Sequence, residues 1–235
     1  MTPLAAASDA IALLAPLDDV STKVPRGALP EVIYHRIRHA IITGVYPAGM
    51  RLNEQRLAET LEVSRVPLRE SFHRLERDGF ISQEPRRSAV VTAWDRRRVD
   101  ELFDTRIGIE VEAVQTATRR IAQGQSTREL ELLVAHSRDA LHRGDALGIA
   151  TSSTEFHRLI VAAAGNELMM SFMDQLAPRM IWLFYLTSVR DAEQACAEHD
   201  ELIEVMASGN IGLARSVAHA HIERGRAPSL AAMQL

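Results

Sequence analysis

A chain of 235 residues that is 46% apolar and 25% charged, with few aromatic residues and little glycine, is long enough for two modest hydrophobic cores and too apolar for disorder beyond its ends. Its formal net charge of −4 excludes a uniformly polycationic protein, and its one cysteine, Cys196, excludes an internal disulfide and a thiolate metal cluster. The cytoplasm is the expected location. The apolar run AIALLAPL near the start has no Lys or Arg before it and is flanked by Asp9, Asp18 and Asp19, which argues against an export signal. MIWLFYL, ending at Leu186, is far shorter than the ~20 residues that span a bilayer, so no membrane segment is expected.

The net charge hides an asymmetry. Glu31 to Arg98 carries 13 Lys and Arg against 9 Asp and Glu, whereas Val99 to Leu235 carries 12 against 19. The first half is the one to search for a polyanion partner.

In chain order, residues 1–29 lack a sustained period and are expected to form a flexible arm. In LPEVIYHRIRHAIITG the apolar residues Val32, Ile33, Ile37, Ala40 and Ile41 recur at helical spacing up to Gly44, which predicts a first amphipathic helix. YPAGMRL turns through Pro47 and Gly49. Asn53 then caps a short helix whose Leu57, Ala58 and Leu61 face inward. In VSRVPLRESFHRLERDGF, Ser64 is a helix cap and Pro67 falls in the first turn, where its missing N–H costs nothing. Leu68, Phe72 and Leu75 form the inner row of this third helix, leaving Arg65, Arg69 and His73 as an outer row. Glu70 stands four residues before Arg74, so intrahelical pairing on a solvated face is the bland alternative. FISQEPRRSAVVTA predicts two short strands, Phe80 to Gln83 and Ala89 to Thr92, with Arg86 and Arg87 at the turn.

Helix, helix, turn, arginine-bearing helix and basic hairpin is the physical recipe for a winged helix-turn-helix that sets its third helix in the major groove of double-stranded DNA. Residues Tyr34 to Asp95 resemble the DNA-binding domain of the GntR family of bacterial transcription regulators, through GVYPAGMRLNEQRLAETLEVSRVPLRE, RLERDGFI and PRRSAVV. The resemblance implies DNA contact by Arg65, Val66, Pro67 and Arg69, with His73, Arg86 and Arg87 on the same basic surface. It departs at Ser88, where the family wing has glycine, and at Gln55, where one branch has an arginine that Arg56 could replace.

Beyond Asp95 nothing alternates with period two. Helices are expected at about 96–123, 127–143, 146–164, 167–187, 191–208 and 210–227, giving an all-α antiparallel helical bundle over residues 95–229 and a tail over 230–235. The fold class is thus mainly α, a winged helix-turn-helix over 30–94 followed by the bundle. His157, His199 and His221 fall on three different helices, and neutral imidazoles are common ligands of divalent transition metals, though spacing alone does not bring them together. Residues 99–227 resemble the FadR-type ligand-binding domain of one GntR subgroup, through ELFDTRIGIEVEA, FHRLIVAAAGN and EHDELIEVMASGN. That resemblance implies a metal (zinc, nickel or manganese) held by His157, His199 and His221, a small carboxylate effector near Arg106, and a homodimer. The family's fourth ligand, an aspartate, is here Ser153, a poor ligand for a divalent cation. Arg106 suits bidentate carboxylate binding, and Glu110, one turn on, either shares that site or pairs with Arg106.

The reading is a DNA-binding transcription regulator controlled by an effector in its helical domain. Two other classes compete with it. A metal-dependent hydrolase with a three-histidine site would activate a water, although no general base is assigned. A nucleoid-type binder without ligand would show no specific operator.

Overall fold

The computed structural model describes residues 28–83, 88–188 and 192–234, so most of the expected arm and the wing tip carrying Arg86 and Arg87 lie outside the described residues. The chain divides between Trp94 and Asp95 into two compact units.

The first unit begins with α1 (Leu29–Ile42), which buries Ile33, Tyr34, Ile37, Ala40 and Ile41. Gly44, at φ +78°, carries the chain out of the helix through left-handed backbone that glycine adopts without a Cβ clash. A two-residue strand, β1 (Arg51–Leu52), follows. Asn53 Oδ1 then accepts from the Arg56 amide at 3.0 Å and opens α2 (Glu54–Thr60). The third helix, α3 (Arg65–Arg77), buries Leu68, Phe72 and Leu75. Ser64 stands at its N-cap with extended backbone, but its hydroxyl makes no capping hydrogen bond, contrary to the expected role. The wing consists of β2 (Ile81–Ser82) and β3 (Ala89–Val91), and the sheet order is β1-β3-β2, with all pairs antiparallel. The pairing of Arg51 with Val90 adds the strand that was read as part of a turn.

The Tyr34 hydroxyl donates to the buried Asp78 carboxylate at 2.6 Å, tying α1 to the end of α3. Burial, and then that carboxylate, push the phenol above its ordinary range. Arg74 caps the arrangement from above, its guanidinium 4.0 Å from the Tyr34 ring centre and paired with Glu31. Arg74 therefore braces the domain instead of pairing with Glu70.

The second unit is entirely helical among the described residues: α4 (Arg96–Ala122), α5 (Arg128–His142), α6 (Ala146–Ala164), α7 (Glu167–Leu186), α8 (Ala192–Ala207) and α9 (Ile211–Ala232). Side-chain caps from Asp95, Asp145, Asn166 and Asn210 open four of these helices. Helix α4 packs against α6 and α9, α6 also against α5 and α7, and α8 against α5 and α9. The chief difference from expectation is α9, which runs through Pro228 to Ala232. Ser229 and Leu230 are buried, and the Ser229 hydroxyl donates to the Gly225 carbonyl at 2.7 Å, so packing carries the helix past the proline. No helix among the described residues is long and apolar enough to cross a membrane.

Candidate metal centre and nucleic-acid interface

The inner row of α3 leaves Arg65, Val66, Arg69 and His73 exposed and Pro67 half-buried in the first turn, with Arg56 exposed on α2. Arg65 has no ion pair among the described residues. Arg69 does: its Nε donates to Glu54 Oε2 at 2.9 Å, a contact between α3 and the start of α2 at the surface. Val66 is 67% exposed, an apolar side chain presented to solvent between two arginines and beside a proline.

In the second unit four helices meet around three imidazoles. His157 from α6, His199 from α8 and His221 from α9 bring one ring nitrogen each within 4.8 Å of the others. His199 also stacks on Phe156, with ring centres 4.1 Å apart. Two carboxylates fix the ring faces. His157 Nδ1 lies 2.8 Å from Glu110 Oε2, and His221 Nδ1 lies 2.8 Å from Glu198 Oε2. With both Nδ1 atoms donating, both Nε2 atoms present lone pairs, and these face each other at 3.5 Å. Two nitrogens bound at about 2.0–2.1 Å to a tetrahedral ion stand about 3.4 Å apart, so this separation fits a shared divalent cation.

The charges around the imidazoles are paired. Arg106, on α4, donates to Glu110 through Nε at 2.7 Å and Nη2 at 3.3 Å, and both side chains are almost fully buried. Its Nη2 also donates to His157 Nε2 at 3.2 Å, the lone pair that a metal would take, so Arg106 has to draw back from His157 for an ion to bind there. Burial alone would push the Glu110 carboxyl up, but the Arg106 charge and the hydrogen bonds around it hold it down at about 2. Burial lowers His157 to about 4 against the opposing pull of Glu110, so the ring is neutral at pH 7, as a metal ligand must be. Glu198 is likewise held at about 2: burial opposes ionisation, and hydrogen bonds from His221, Gln194 and Arg224 overcome it. The Arg224 contact is 2.8 Å long and half exposed on the arginine side.

Arg106, His157, Arg224 on α9, and Ser153 one turn before His157 line a cavity of about 170 Å³. Glu110 is absent from that lining. It lies behind Arg106 and His157 and holds them, so of the two outcomes the sequence left open, pairing with Arg106 is the one found. Sequence reasoning missed Glu198 and Arg224. Arg224 follows His221 by three residues and so shares its helix face, a readable signal. Nothing in the sequence marks Glu198, the neighbour of a candidate ligand, as the partner of a histidine on another helix.

Residues 29–91 match the model of bacterial regulatory proteins of the gntR family, and residues 101–224 match that of the FCD domain. An uncharacterized HTH-type transcriptional regulator of Bacillus subtilis, YdhC, is 27% identical over 191 residues, covering 80% of this chain and 85% of its own. Among solved structures, a GntR transcriptional regulator from Rhodococcus sp. RHA1 has a TM-score of 0.71 at 21% identity, covering 86% of this chain and 97% of its own. The metal-free FCD domain of another regulator has a TM-score of 0.52 at 25% identity, covering 60% of this chain and 98% of its own. These relatives carry the names of transcriptional regulators, and with the gntR-family match they favour a regulator over a three-histidine hydrolase. With both halves of the chain matched in order, the protein belongs to the GntR family of transcriptional regulators and carries an FCD domain at its C-terminal side.

Proposed function

We propose that the chain is a cytoplasmic, homodimeric regulator that reads a double-stranded DNA operator through Arg65, Val66, Pro67, Arg69 and His73. Arg56, Arg86 and Arg87 supply further contacts to DNA. Operator affinity is set by a small carboxylate that binds in the helical domain beside a divalent transition metal (zinc, nickel or manganese) held by His157, His199 and His221. The observation that carries the effector reading is the pair of Nε2 lone pairs 3.5 Å apart, each backed by a carboxylate on Nδ1. The effector's carboxylate meets the ion and Arg106, whose planar fork suits it. The parts of the site sit on α4, α6, α8 and α9, so a ligand bridging them changes how these helices pack, and its preference for one packing shifts the DNA-binding equilibrium.

Metal content after dialysis against zinc, nickel or manganese, measured by mass spectrometry, tests the site. One equivalent per chain in the parent and a clear loss in His199→Ala are expected; no metal at saturating concentration in the parent overturns it. Selection of operators from a random duplex pool, with and without candidate carboxylic acids, tests the rest. No enriched operator in the pool, together with no effect of any acid on DNA binding by the metal-loaded protein, would return the nucleoid-type reading.

A further inference from the structure

The fixed charges of the cavity cancel before any ion enters. Arg106 is matched by Glu110 and Arg224 by Glu198, and an imidazole that ligates a metal does so as a neutral ring. A divalent cation bound to three neutral imidazoles therefore brings two uncompensated positive charges into a largely buried site, an unfavourable condition that a ligand of opposite charge relieves. Residue 153 decides how much of that charge the protein itself neutralises. It lines the cavity one helical turn before His157, and it is a serine, which supplies none.

We propose that Ser153 sets the charge of the effector, and that this regulator takes a dicarboxylate, with one carboxylate at the ion and Arg106 and the other at Arg224 near the mouth. The inference rests on the metal-and-carboxylate reading above. The geometry offers two guanidiniums lining one cavity from the neighbouring helices α4 and α9. Its volume of about 170 Å³ suits the size required, since an apolar cavity of about 150 Å³ takes benzene, and short dicarboxylates have seven or eight heavy atoms. An aspartate at 153 would cancel one of the ion's charges and leave room for a monoanion only.

The test compares succinate with succinamate, which has the same number of heavy atoms and one charge fewer, by calorimetry on the full chain loaded with zinc. The parent should bind succinate at least about tenfold more tightly than succinamate, the scale expected for one extra charge in a partly screened site. Ser153→Asp should shrink that ratio about tenfold or more, Ser153→Asn should leave it unchanged, and Arg224→Gln should weaken succinate while sparing succinamate. Should Ser153→Asp fail to fold by circular dichroism, the parent ratio and the Arg224→Gln result still decide. Equal affinities in the parent, or a ratio that Ser153→Asp and Arg224→Gln leave alone, overturn the proposal while the carboxylate site stands. If the zinc-loaded parent binds neither acid, or takes up no zinc, the underlying reading falls and this inference falls with it.

Discussion

Arg69 and Arg65 face the same solvent but start from different states. Arg65 is unpaired among the described residues, whereas the Arg69 guanidinium must leave Glu54, or bring it along, to reach a base or phosphate. Exposed pairs of this kind contribute about 0–1 kcal/mol, so breaking one is a small cost, and on the proposed docking Glu54 would also repel the DNA backbone. Arg65→Ala should weaken binding to a selected operator by about 1–3 kcal/mol, while Glu54→Ala should tighten it by up to about 1 kcal/mol. Titrations at several salt concentrations separate this from the wing, where Arg86→Ala or Arg87→Ala should chiefly lower the salt slope. A Glu54→Ala variant that binds more weakly would show instead that Glu54 positions Arg69 for its contact.

His157 carries the second expectation at this scale. In the folded, metal-free protein its ring is held at about 4, while an unfolded chain takes up a proton near the ordinary 6.5. Between those values the native state binds fewer protons, so stability of the helical domain falls as the pH drops from about 6.5 toward 4, by as much as about 3 kcal/mol. The low values of Glu110 and Glu198 extend the loss from about 4.5 down toward 2, because their stabilisation requires the ionised form. Denaturant unfolding of metal-free protein at pH 7, 5.5 and 4 should show this trend, and a folded His157→Gln variant should flatten its upper part. A parent curve that rises toward pH 4 would contradict the burial of a neutral ring.

Among the elements, the helices were the most legible. Long periodic stretches located five of the six helices of the second unit to within one residue at each end. Strand β1 was not legible, since two residues have no period, and Arg51–Leu52 becomes a strand only because Val90 and Ala89 lie beside it. The end of α9 was misread for a related reason. Proline is a local stop, and the burial of Ser229 and Leu230 that overrides it is a tertiary fact. The bond between Tyr34 and Asp78 is of the same non-local kind and holds α1 on α3. Tyr34→Phe would leave the buried Asp78 carboxylate short of a donor and should cost about 1–3 kcal/mol, read as faster amide exchange in α1 and α3 than in the helical domain. Unchanged exchange in both helices would mean that Arg74 and Arg77 carry Asp78 alone.

At the scale of the whole molecule, the identity of the three histidines was available from resemblance, but their convergence was not available from spacing, because residues 64 apart meet only once α6 and α9 have both packed against α4. The same limit hid Glu198 and Arg224, whose roles depend on which helix faces which. A homodimer presenting two α3 helices should protect a near-palindromic site, the two half-sites related by the protein's two-fold axis. Footprinting together with sedimentation at micromolar concentration checks this, and a monomer protecting one half-site would contradict it. One further property of the helical domain follows from Arg226, which reaches from α9 to the Asp100 carbonyl and carboxylate at 3.1 and 3.3 Å and to Asp104 at 2.6 Å. His221 lies level with Arg106 through His157, so as α9 advances from His221 to Arg226 its neighbours on α4 step back from Arg106 to Asp100, and the two helices run in opposite directions. The end of α9 consequently returns to the beginning of α4, and the helices form a closed ring in which chain order is incidental to packing. A circular permutant that joins residue 232 to residue 95 by a short linker and opens at Gly144 should retain the three-imidazole site, because the cut falls in a turn and the contact of Arg226 with Asp100 brings the end of α9 toward the start of α4.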